Sequence, residues 1–285
     1  MMSWTKHTAA AAVAILAAAT GQRADAALLW GNNAGFGADI IEAFDPATGA
    51  LVHKFTGVAG NGRGVVVVGN TVYYTVVGDG VIHEMDATSG ALLPGTINTG
   101  QSSLSTISYD GTNFWLADYS GTNKAYQVAP DGTLLTTITL NGSTGNQDGL
   151  EYFNGRLIGN RGDGVAPYDV YNLAGGVPST SSFIAPAGSS TGIAFDGTNF
   201  YTSNVFNNSV SIWNGTTGAF ISTLALDVSR GTHLLEDLSF DFAGRADTCG
   251  GPNQPPCTTG VPEPASMAIL GMGLLGLGAL RRPKA

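Results

Sequence analysis

The chain repeats itself with a period near 43 residues, and that constrains the fold more than any other feature. Asp110-Gly-Thr-Asn-Phe114 recurs as Asp196-Gly-Thr-Asn-Phe200, an offset of 86 residues. A second series of turns runs through Asp45-Pro-Ala-Thr-Gly49, Asp86-Ala-Thr-Ser-Gly90, Pro130-Asp-Gly132, Ala174-Gly175 and Thr216-Thr-Gly218. Its marker glycines, Gly49, Gly90, Gly132, Gly175 and Gly218, are spaced by 41, 42, 43 and 43 residues. Self-similarity at this period means one supersecondary unit stacked on copies of itself.

Each unit reads as four short strands. Leu104 to Tyr109 precedes the turn at Asp110-Gly111; Phe114 to Asp118, Lys124 to Val128 and Thr133 to Leu140 follow. Alternating apolar residues bounded by Gly, Asp and Asn are hairpin signals. Four strands every 40 to 45 residues is the period of a β-propeller blade. The first strands align at Val66–Val68, Ile107–Tyr109, Leu150–Tyr152, Ile193–Phe195 and Leu238–Phe240. The fifth has no room for three more strands, whereas residues 27–30, 39–44 and 50–55 form three strands lacking a first one. Joining the two ends completes a blade and removes exposed edges. The sequence therefore predicts an all-β, five-bladed propeller over 27–245, closed by a blade that the N- and C-terminal strands share. Six blades fit only if one is badly degraded.

Composition agrees. Forty-one glycines, with abundant Thr, Asn, Ser and Val, suit turns and strands. Residues 27–262 carry seven Lys or Arg against nineteen Asp or Glu, a net charge of −12. Such a surface argues against nucleic acid and anionic membrane as partners. It tolerates cations and neutral glycans. The only cysteines, Cys249 and Cys257, lie in a Gly/Pro-rich stretch between body and tail. In an oxidising compartment they predict a local disulfide within a 246–261 linker; a zinc site lacks two further ligands nearby.

Chemistry in a propeller gathers at one end of its central channel. Two positions ahead of the aligned strand cores stand Gly64, Ser105, Asp148, Thr191 and Glu236, and one position ahead stand Val65, Thr106, Gly149, Gly192 and Asp237. Asp148, Glu236 and Asp237 are the candidate metal ligands, an oxygen-only set suited to calcium; a solvated channel mouth lined with small polar residues is the plainer reading. Glu151 stands where sister units carry Val67, Ser108, Ala194 and Ser239. Burying such a carboxylate calls for a partner, with Arg63 or Arg156 in view, or an acid–base role. His233, near Glu236 and Asp237, is the candidate general base; an exposed loop histidine is the alternative. No nucleophile–base motif and no phosphate-binding glycine loop accompanies them. Tyr73, Tyr74, Trp115, Tyr201 and Trp213 read as packing aromatics.

The two ends carry addresses. Lys6 and His7 precede an apolar run over 9–19, and Ala24-Asp25-Ala26 presents small residues for signal peptidase, so 1–26 reads as a secretory signal peptide. At the other end Val261-Pro262-Glu263-Pro264 leads into an apolar segment over 265–280 and then Arg281, Arg282 and Lys284. Sixteen residues with four glycines make a thin span for a bilayer, and the basic end would stay on the cytoplasmic side. This order of polar motif, hydrophobic segment and basic tail resembles the PEP-CTERM sorting signal of Gram-negative bacteria. The resemblance covers 262–285 and implies export, a transient inner-membrane anchor, processing by an exosortase, and an envelope or matrix destination in exopolysaccharide-making cells. Two functions then compete: a non-catalytic surface or matrix protein that binds exopolysaccharide in a biofilm or acts as a spacer, and a lyase or lactonase-type hydrolase using channel acids with calcium. The missing nucleophile–base motif favours the first.

Overall fold

A computed structural model describes residues 27–35, 38–141, 146–160 and 167–240. The signal segment 1–26, the Cys249–Cys257 pair, Pro262-Glu263-Pro264, the 265–280 segment and the basic cluster Arg281, Arg282 and Lys284 lie outside the described residues.

Twenty strands form five four-stranded antiparallel sheets. Blade I takes β1 (Leu29–Asn33), β2 (Ala38–Phe44) and β3 (Leu51–Ala59) from one end of the fold and β20 (Leu235–Phe240) from the other, in the order β20-β1-β2-β3. Blade II is β4 (Gly62–Val68), β5 (Thr71–Val76), β6 (Val81–Asp86) and β7 (Leu92–Asn98). Blade III is β8 (Leu104–Tyr109), β9 (Phe114–Asp118), β10 (Lys124–Val128) and β11 (Leu134–Thr139). Blade IV is β12 (Gly149–Phe153), β13 (Arg156–Asn160), β14 (Tyr168–Asn172) and β15 (Gly175–Ile184). Blade V is β16 (Ile193–Phe195), β17 (Asn199–Ser203), β18 (Ser209–Asn214) and β19 (Phe220–Ala225).

The innermost strands touch in the order β4, β8, β12, β16, β20 and back to β4, which closes the ring. This is the five-bladed propeller with a shared closing blade that the repeat predicts. Two strands run longer than their apolar pattern: β4 starts at Gly62 because Gly62 pairs with Val76 across a bulge, and β3 continues to Ala59 opposite Ala38.

The repeated turns explain themselves locally. Asp45 Oδ1 accepts hydrogen bonds from the Ala47 and Thr48 amides at 2.8 and 3.0 Å, Asp86 Oδ1 from Thr88 and Ser89, and Asn214 Oδ1 from Thr216 and Thr217. Asp110 and Asp196 do the same for the inner hairpins. A short side chain that mimics a backbone acceptor is what Asp and Asn contribute to turns. Gly49 and Gly218 close theirs at φ 73° and 68°, open to glycine at little cost. Both glycines also abut the neighbouring blade: a Cβ on Gly49 would overlap the Ala225 carbonyl, and one on Gly218 the Phe183 carbonyl. Turn chemistry and blade stacking thus constrain the same positions, which keeps the repeat visible.

The core is divided into five slabs, each between adjacent blades. Trp30, Ile41 and Ala43 meet Val65, Val72 and Tyr74 between I and II, while Leu29 and Phe44 meet Ala194, Tyr201 and Val210 between V and I. Phe153 and Tyr168 pack on Phe200 and Trp213 between IV and V. Trp115 is 1% exposed and spends its indole N–H on Asp110 Oδ2 at 3.0 Å. Burying a side chain of this size stabilises by about 2–3 kcal/mol, so each slab resists loss of a blade.

Candidate functional site

The inner ring is tight because its positions are small. A Cβ on Gly64 would meet Ile107 and the Thr106 backbone, one on Gly149 the Thr191 carbonyl, and one on Gly192 the Asp237 and Leu238 backbone. Into this constriction β20 sends Asp237, which is fully buried. Its Oδ2 accepts from Thr106 Oγ1 at 2.9 Å, Val65 N at 3.2 Å and Ile107 N at 3.3 Å, so one carboxylate ties blade I to blades II and III. Burial holds its pKa well above the usual range, partly offset by those donors. Thr106 passes the chain of bonds onward, accepting from Leu150 N at 3.1 Å. The hydroxyls of Ser105 and Thr191 are spent on the Ala117 and Leu235 carbonyls.

One residue earlier along the same strands stands a cluster of charged side chains. Arg63 of β4 donates to Glu236 Oε1 at 2.9 Å, and its guanidinium lies 5.5 Å from the centre of the Tyr119 ring. Asp148, just ahead of β12, is close enough that its charge raises Glu236. Burial pushes Glu236 up to about 7, Asp148 adds to the rise and Arg63 opposes it. Burial likewise lifts Asp148 to about 6, against the pull of Arg63. Two carboxyls titrating near neutrality beside one guanidinium can donate and accept protons. Of the candidate metal ligands, Asp148 and Glu236 lie near one another with Arg63 beside Glu236, while Asp237 is taken up by the inner ring.

The other candidates go elsewhere. Glu151 accepts a hydrogen bond from Ser108 Oγ at 3.1 Å, and that hydroxyl in turn accepts from Tyr152 N, so it bridges blades III and IV. His233 is buried rather than an exposed loop residue. Its Nδ1 lies 2.7 Å from Glu42 Oε2, its Nε2 lies 2.8 Å from the Asp227 carbonyl, and Phe44 packs edge-on against its ring. Among the described residues no three His, Cys, Asp or Glu side chains are grouped to hold a metal ion.

Sequence reading passes over a second feature, a groove of about 360 Å³ on blade V. Asn204, Asn207, Ser209, Ser211 and Thr223 line it together with Pro186 and Ser190, and none of its lining residues is ionisable. Asn207, Ser209 and Ser211, at alternate positions leading into β18, would be its trace in the sequence.

Residues 260–282 match the PEP-CTERM protein-sorting motif, which marks export, exosortase processing and sorting to the cell envelope. No curated protein matches the chain in sequence. Among solved structures, a chain of a nidogen/laminin complex superposes with a TM-score of 0.52 at 14% identity, over 76% of this chain and 98% of that one. Glutaminyl cyclase from Myxococcus xanthus gives 0.49 at 13% identity, over 58% of this chain and 70% of that one. At such identity the nidogen/laminin likeness concerns the fold alone.

Proposed function

We propose that this exported, exosortase-processed propeller is a non-catalytic binding protein of the cell surface or extracellular matrix, and that it engages exopolysaccharide. The observation that carries the reading is the blade V groove, lined by amides and hydroxyls without a charge. Neutral sugars present hydroxyls that pair with such groups, and an acidic protein surface does not oppose them. Signal peptidase, a transient inner-membrane anchor and a disulfide-closed linker belong to the same proposal, as does association with a biofilm.

The test is co-sedimentation of the purified exported protein with the host's own exopolysaccharide, followed by sizing of the polymer. Retention without shortening, weakened several-fold by Asn207→Ala, supports binding. No retention of the unaltered protein rejects it.

A second reading has its own support. Burial raises Asp148 and Glu236 to about 6 and 7, the range in which carboxyls serve as general acids and bases at neutral pH. Polymer shortening that disappears in Asp148→Asn or Glu236→Gln would establish a lyase or hydrolase.

A further inference from the structure

We propose that Asn32 Oδ1, Asp39 Oδ1 and the Asn33 carbonyl hold a calcium ion between the closing blade and blade II. The site is separate from the charged cluster and from the groove, and stands independently of either functional reading.

The three oxygens converge on one small space. A Cβ on Gly62 would overlap all three at once, so they surround a pocket that only glycine leaves open. Each strand slips its register where it reaches this pocket: β1 against β20 between Asn32 and Asn33, β2 against β3 between Ala38 and Ile40, and β4 against β5 between Gly62 and Val65. Bulges re-aim individual groups, and these three aim at one point.

The groups are acceptors facing acceptors. Asn32 is fully buried and spends both amide hydrogens, donating to Gly64 O at 3.0 Å and Thr75 O at 3.2 Å. That fixes its Oδ1 toward Asp39, where it has no donor. Asp39 is also fully buried, and neither of its carboxylate oxygens has a hydrogen-bond partner. Among the described residues no Lys, Arg or His pairs with it. Its charge helps raise the Tyr74 phenol, itself a hydrogen-bond acceptor for Val58 N. Burial drives Asp39 up to about 7; the adjacent Ile40 amide eases it slightly but is not placed to make a hydrogen bond of good geometry. The Asn33 carbonyl accepts from Gly35 N at 2.9 Å, and a carbonyl oxygen carries two lone pairs. Asn61, next to Gly62, adds another buried Oδ1 without a donor.

A buried carboxylate left without partners is costly. One proton would satisfy a single pair of oxygens, whereas a hard cation satisfies them together. Carboxylate, amide and carbonyl oxygens in irregular array suit calcium, which takes six to eight oxygens; magnesium demands a near-ideal octahedron. With one formal charge among the ligands, affinity belongs to the weak range of extracellular modules, Kd about 10⁻⁴–10⁻³ M.

The experiment is calorimetric titration of the EDTA-stripped exported protein with CaCl2 at pH 8, with thermal melts in parallel. One calcium per chain is expected, with Tm rising by about 3–10 °C in 10 mM CaCl2 and less in MgCl2. Asp39→Asn should abolish that rise and yet melt higher than the unaltered protein in EDTA, because the new amide can donate to Asn32 Oδ1. The Asp148→Asn/Glu236→Gln double variant should keep the calcium response. A Tm at pH 8 that calcium leaves unchanged would overturn the proposal. So would binding that survives Asp39→Asn, or binding lost in the channel variant. If Asp39→Asn does not fold, terbium luminescence sensitised near Tyr74 in the unaltered protein decides. Emission quenched by calcium supports the site, and its absence refutes it.

Discussion

Glu42→Leu should unfasten the closing blade. Glu42 is fully buried on β2, and three donors converge on its carboxylate. His233 Nδ1 lies 2.7 Å and Asn33 Nδ2 2.6 Å from Oε2, while Lys54 Nζ lies 2.8 Å from Oε1. Burial alone would raise its pKa, but the His233, Lys54 and Asn33 donors outweigh it and hold Glu42 below its ordinary 4.5. Burial alone would lower His233, but Glu42 and the Asp227 carbonyl hold it above 6.5. Removing the carboxylate leaves His233 and Asn33 as buried donors with lost partners. Breaking a buried pair costs about 3–5 kcal/mol; Lys54, 26% exposed, adds under about 1 kcal/mol. For a domain of this size about 4 kcal/mol is a Tm drop of about 8–16 °C.

The pH dependence follows from the two shifts. Glu42, with a depressed pKa, contributes stability that is present above 4.5 and lost as pH falls through its folded value. His233, with a raised pKa, contributes stability that is full below 6.5 and lost as pH rises through its folded value. The gap between Glu42→Leu and the unaltered protein should therefore peak between about pH 4.5 and 6.5. Urea denaturation at pH 6, with hydrogen exchange read at β1 and β20, measures it. A loss under about 1 kcal/mol, or additive Glu42→Leu and His233→Phe effects, would refute this account of ring closure.

Gly192→Ala should cost more than about 3 kcal/mol, since its Cβ meets backbone of Asp237 and Leu238 that no rotamer change can move; a melt within 3 °C of the parent would count against a packed inner ring. Arg63→Met should raise both Glu236 and Asp148 beyond about 7 and 6, as removal of the guanidinium that opposes burial; carboxyl carbon NMR reads this, and unchanged titrations contradict the charged cluster. In EDTA, the contribution of Asp39, Asp148 and Glu236 to stability should be full below about pH 4 and lost as pH rises through 6–7, because all three bind protons more tightly folded than unfolded. A Tm that is flat from pH 5 to pH 8 would exclude that linkage.

The fold was legible because each repeat position answers two demands at once. Gly49 must take a left-handed turn and must also let Ala225 approach, so drift there is doubly penalised. Pairing of β20 with β1 was legible by subtraction, three strands at one end and one at the other. The site was legible only where it rides on the repeat. Asp148 and Glu236 sit at equivalent offsets of two units, so aligning the units aligns the channel. His233 sits on no repeat position, and its partner Glu42 lies 191 residues away, a distance no local spacing encodes. Arg63 suggested a partner for Glu151, but the arginine meets Glu236, because the ring places β4 beside β20. Asn32 and Asp39 gave no signal, since bulges rather than the strand period decide where they point.

The shared blade also sets a clock for export. A chain that emerges N-terminus first delivers β1, β2 and β3 at the outset, and they wait for an edge partner until β20 arrives. That partner ends at Phe240, 19 residues before the 260–282 sorting motif begins. A stretch of 19 residues reaches at most about 65 Å. Ring closure thus waits for nearly the whole body to be made, and the strand that joins the circle is the described strand nearest to the sorting motif.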